Sequence, residues 1–182
     1  AVIFTHRHTD HIIGAGELRV ISNHFQKSID IYGNQATLDV VEQTAKYLFT
    51  YKQVAPHVVK DQSYNIHGLN FDFRTVQHGL IENLAVSCSI NNKKFIYLND
   101  ISDFTSEDLK WLDKSDHIIV DAKEYYDSKN HFGFPKANEM LKLINFKQGY
   151  FINMSHKIDY YNLEVKLEKN TRLCYDGMQI DF

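Results

Sequence analysis

A chain of 182 residues with 12 Phe, 11 Tyr, 8 Gly and 2 Pro has apolar surface enough for one sizeable core and no low-complexity linker. No apolar run reaches the roughly 18 residues of a membrane-spanning helix, and a formal net charge of -3 supplies no basic stripe for a long polyanion. No membrane partner is expected, and nucleic acid is disfavoured. The two cysteines, Cys88 and Cys174, lie far apart and outside any CxxC spacing, which suits reduced thiols in a cytoplasmic protein.

Residues 1–4 are an apolar run that reads as a strand, and residues 10–19 carry Ile12, Ile13, Ala15 and Leu18 at helical spacing. The same order repeats, with a strand at 29–32 closed by Gly33 and an amphipathic helix at 36–49. From residue 64 to 98 the period changes to two. Strands are expected at 69–76, 84–90 and 94–98, with Asn91 and Asn92 as the turn between the last two, so the middle third is antiparallel sheet. Thr105 or Ser106 caps a helix running to Leu112, residues 117–120 form a buried strand, and Pro135 opens a helix to Ile144. A strand at 149–152, a short helix at 160–167 and a hairpin of 172–175 with 178–182 about Asp176 and Gly177 complete the chain. No repeat or linker interrupts this order, which reads as one mixed α/β domain over 1–182. Because the chain opens in a strand, without Met or a basic leader, upstream strands are expected to be missing from it.

The strongest chemical signal is Thr5-His6-Arg7-His8-Thr9-Asp10-His11, an HxHxDH run between a strand and a helix. An extended loop puts His6 and His8 on one side, and the helix start turns Asp10 and His11 toward a second point, so one segment can serve two adjacent cations. A chance cluster of polar residues or a purely structural zinc explains three histidines in six positions poorly. His24, His57, His67 and His117 match no such pattern and read as surface or satisfied core residues.

This run resembles the defining motif of the metallo-β-lactamase superfamily, whose fold is an αββα sandwich. By that resemblance His6, His8, Asp10, His11, His78 and Asp100 are metal ligands, with His78 completing the first site and Asp100 bridging the two. Asn130-His131, Ser155-His156 and the Tyr175-Asp176-Gly177-Met178 ending are similar to the branch that holds the phosphoribosyl cyclic phosphate phosphodiesterase. That branch has a histidine ligand where this chain has Asn153. A neutral amide oxygen is a weaker ligand for zinc than imidazole, so the second site should bind zinc less well and accept manganese more readily. His156 is a free side chain, an outer partner or a replacement ligand.

The resemblance implies hydrolysis of a small, cyclic phosphodiester by a water activated between two zinc or manganese ions about 3.5–4 Å apart. Asp10 and His131 are its expected catalytic residues, and His131 would protonate the leaving oxygen. Tyr125 and Tyr126 are candidates for the substrate wall, and a homodimer is compatible with the reading. Two other readings stand beside it: a tRNA 3′-processing nuclease of the same superfamily, and a non-catalytic remnant serving as an interaction domain.

Overall fold

The computed structural model describes residues 1–180 and divides the chain into two compact units, Ala1–Gln62 and Ser63–Phe182. The first unit contains β1 (Val2–Ile3), α1 (Thr9–Ile12), a 3-10 turn (Ile13–Glu17), α2 (Leu18–Phe25), β2 (Ile29–Gly33), α3 (Gln35–Thr44), α4 (Lys46–Thr50) and β3 (Val54–Val58). Its three strands pair in parallel in the order β1-β2-β3. Phe4, Ile12, Leu18, Ile31, Leu38, Val41, Leu48 and Val54 form its core, so helices and sheet share one apolar interior.

Both helices expected here are divided. The first begins at Thr9 and tightens into a 3-10 turn through Gly14 and Gly16, whose poor helix propensity weakens an α-helix at that point. The second is interrupted at Ala45, where φ is -132° and ψ 48°. Asn34 caps its first half by accepting a hydrogen bond from the Thr37 amide at 2.9 Å. Strand β3 was hidden in the sequence because it carries Pro56 and exposes three of its five residues, as an edge strand can.

The second unit is built on seven strands in the order β10-β9-β8-β7-β6-β5-β4. In chain order these are β4 (Ser63–Ile66), β5 (Leu69–His78), β6 (Ile81–Ile90), β7 (Lys93–Leu98), β8 (Ser115–Asp121), β9 (Phe146–Ile152) and β10 (Thr171–Leu173), joined after β7 by α5 (Ser106–Leu112), α6 (Phe134–Lys142) and α7 (Tyr160–Glu164). Strands β4 to β7 are antiparallel, as the period of two required. Asn91 and Asn92 turn with φ of 51° and 60°, the left-handed pair a tight hairpin needs. Strands β7 to β10 are parallel, with Ile96, Leu98, Ile118, Val120 and Phe151 fully buried beside Ala137 and Met140 of α6.

The expected C-terminal hairpin is replaced by a different pairing: β10 lies parallel to β9, with Thr171 opposite Gly149. Gly177 turns with φ of 86°, residues 178–180 form no strand, and residues 181–182 lie outside those described. Strand β6 opposes both β5 and β7, so β5, β7, β8 and β9 all run the same way. Their C-terminal ends therefore line one edge of the sheet, and there the chain places His78, Asp100, Asp121 and Asn153.

Candidate metal centre

In the first unit β1 delivers the chain to an extended loop that opens α1 at Thr9. His6 is fully buried, its Nδ1 3.2 Å from Thr5 Oγ1 and its Nε2 3.1 Å from His8 Nδ1. The rings of His6 and His11 are 4.1 Å apart. The three imidazoles of the run are thus gathered, with His11 beside His6 where the sequence reading turned it with Asp10 toward a second point. Asp10 is different: its side chain is 81% exposed, with Oδ2 3.5 Å from His11 Nε2.

In the second unit His78 ends β5, and its Nδ1 donates to the Asn130 carbonyl oxygen at 2.7 Å. That bond fixes the tautomer, so Nε2 carries the lone pair and stands 3.7 Å from Asp100 Oδ2. The fit is close at the next residue. Gly79 has φ of 59°, and a Cβ there would lie 2.4 Å from Asn130 Oδ1.

Asp100 is buried and takes φ of 46°, a left-handed conformation that costs about 1–3 kcal/mol in a non-glycine residue. Asn83 on β6, fully buried, holds that turn by donating through Nδ2 to the Asn99 carbonyl and, at 3.0 Å, to the Asp100 carbonyl. Asn153, with φ of 60°, donates through Nδ2 to Asp100 Oδ1 at 2.6 Å.

His131 reaches the same place from the connection between β8 and α6. The Phe132 amide donates to the Ile101 carbonyl at 2.8 Å and the Gly133 amide to Asp127 Oδ1 at 2.8 Å, which folds the loop back over the strand ends. His131 Nδ1 then lies 3.2 Å from Asp121 Oδ2 and 3.6 Å from Asp100 Oδ1, with Lys123 Nζ 3.2 Å from its Nε2. Burial pushes the Asp121 carboxyl above the usual carboxylate range; the charge of Asp100 adds to this, and the hydrogen bond from His131 opposes it.

The structure therefore brings His78, Asp100, Asn153 and His131 together within the second unit, and His6, His8 and His11 within the first. His156 is exposed. Asp121, Asn83 and Lys123 were missed by the sequence reading. The available signal for Asp121 was its position directly after an apolar strand, the same signal that singled out Asp100.

A family model described as the beta-lactamase superfamily domain matches residues 1–154. An octanoyltransferase of Porphyromonas gingivalis is 23% identical over 190 aligned positions, which cover 98% of this chain and 37% of that protein. The chain thus spans little more than a third of the curated relative it matches. Among solved structures, a diphosphatase of the PhnP family superposes with a TM-score of 0.90 at 24% identity, covering 99% of this chain and 69% of that one. YhfI from Bacillus subtilis gives 0.81 at 18% identity, covering 97% and 75%. The short form of human tRNase Z gives 0.75 at 20% identity, covering 98% and 77%. At these identities the structural likenesses establish the fold, which is the mixed α/β fold expected from the sequence. With the family model matching residues 1–154, the chain belongs to the metallo-β-lactamase superfamily of hydrolases.

Proposed function

We propose that this chain hydrolyses a small-molecule phosphodiester, a cyclic phosphate in particular, using divalent zinc or manganese. The observation that carries the reading is the gathering of His6, His8 and His11, with His6 fully buried and its Nε2 3.1 Å from His8 Nδ1. Imidazoles crowded in this way suit a cation better than they suit apolar packing or a solvated face.

The donor chemistry fits such ions in both units. His6, His8 and His11 supply imidazoles in the first, and His78, Asp100 and Asn153 supply an imidazole, a carboxylate and an amide in the second. Bound there, divalent cations would polarise a phosphoryl oxygen and lower the pKa of water. The protein's own part is orientation. Asn130 keeps the ligating nitrogen of His78 unprotonated, Asn83 holds the turn that presents Asp100, and Asp10 is an exposed carboxylate available to orient a water.

A net charge of -3 favours a small substrate over RNA. The test is hydrolysis of bis(p-nitrophenyl) phosphate by purified protein after chelation and readdition of zinc or manganese. Turnover that disappears with chelator and returns with metal is expected, and His8→Ala should remove it. Metal binding without turnover on linear or cyclic phosphodiesters would overturn the assigned activity.

A further inference from the structure

Helix α2 buries Leu18 and Ser22 in the first unit and turns the rest of its circumference outward. At 100° per residue, Glu17, Val20, Ile21 and His24 share that outer face, with Phe25 at its border and Ile13 of the 3-10 turn beyond its start. Ile13, Val20, Ile21 and Phe25 keep 70%, 56%, 43% and 60% of their surface exposed. A surface helix normally carries polar residues on its outer side, so large apolar residues clustered there call for a partner.

Charge on this face is sparse and ordered. Arg19 lies off it, its guanidinium 5.9 Å from the centre of the Tyr47 ring on α4. What remains is Glu17 and His24, seven residues apart, both exposed and neither with an ion-pair partner among the described residues. A two-fold axis between Val20 and Ile21 sets two copies of α2 antiparallel, the self-complementary arrangement of a symmetric dimer. Val20 of one copy then meets Ile21 of the other, Glu17 meets His24, and the symmetry makes each contact twice. A parallel arrangement would instead set Glu17 against Glu17.

The exposed area matches what such a contact needs. At about 150–250 Å² for a large apolar side chain, the exposed parts of Ile13, Val20, Ile21 and Phe25 amount to roughly 350–550 Å². A stable interface buries about 800 Å² on each partner, a little over half of it apolar. We infer that this face of α2, with Ile13, is the docking surface for a second copy of the chain, the two helices packing antiparallel about a two-fold axis between Val20 and Ile21.

Sedimentation equilibrium of the purified chain across the micromolar range should show a dimer in exchange with monomer. Ile21→Glu places a carboxylate in the middle of the contact and should raise the dissociation constant roughly hundredfold. Glu17→Lys sets cations together at the pair, and His24→Glu sets carboxylates together, so each variant alone should dissociate about tenfold more readily. Mixed in equal amounts, with one of them fluorescently labelled, these two variants regain an opposite pair at both positions and should form a heterodimer. No loss of folding can imitate that recovery. A parent chain that stays monomeric would overturn the interface and leave the face to a different protein. A dimer indifferent to Ile21→Glu, or charge variants that dissociate and fail to recombine on mixing, would overturn it equally.

Discussion

Replacing Asn83 tests whether the Asp100 turn is held from β6. Asn83 is fully buried and donates to two backbone carbonyls, those of Asn99 and Asp100, the latter at 3.0 Å. Each hydrogen bond contributes about 1 kcal/mol net, and a buried carbonyl left without a donor adds to the loss. Asn83 Oδ1 has no partner among the described residues, so its removal returns part of that cost. Asn83→Ala should therefore destabilise the second unit by about 2–3 kcal/mol, a fall of roughly 30- to 150-fold in its folded-to-unfolded ratio. Asn83→Asp keeps the shape but aims an acceptor at two carbonyl oxygens, and should cost more than the alanine variant. Trp111, the single tryptophan, lies on α5 in this unit and reports its unfolding by fluorescence in urea. The expected result is a lower midpoint at unchanged slope. An Asn83→Asp protein as stable as the parent would refute the argument.

Thr105 accepts a hydrogen bond from the Asp108 amide at 3.2 Å while Asp108 accepts one from the Thr105 amide at 2.9 Å, so Thr105→Ala should cost about 1 kcal/mol in the same urea assay. A Cβ on Gly133 would sit 2.4 Å from the Tyr126 carbonyl carbon, so Gly133→Ala should displace the His131 loop, cost roughly 1–3 kcal/mol and weaken Mn2+ binding measured by paramagnetic resonance. Hydrogen bonding to Lys147 holds the Asp116 carboxyl below its ordinary range, and hydrogen bonding to Lys136 does the same for Asp103. A depressed folded-state pKa contributes stability above the unfolded value of about 4, and that stability is lost as pH falls through the folded value. Thermal melts should therefore fall off in acid below about pH 4, and Lys147→Met should lose less than the parent over that range.

Strands β5 to β9 and the helices of the second unit were legible, though β4 was not, because hydrophobic period and turn chemistry agree there: Asn91 and Asn92 turn as required, and Thr105 caps α5. The break at Ala45 was not legible, since nothing in its local propensity marks it; the break at Gly14 was masked by the apolar spacing on either side, and strand β3 by its proline. The HxHxDH run was legible because its four residues are adjacent in sequence. Asp121 and His131 are ten positions apart and meet only because a loop folds back, so no spacing rule joins them. The assignment of residues 172–175 to a hairpin failed because β9 offered β10 a parallel edge.

Metal stoichiometry on the purified chain, by elemental analysis with parallel bis(p-nitrophenyl) phosphate turnover in zinc or manganese, tests the central claim most directly. Two ions per chain, with turnover that follows their removal and return, is the expected result. One ion or none, without turnover under either metal, would contradict the account and favour a non-catalytic role for the fold.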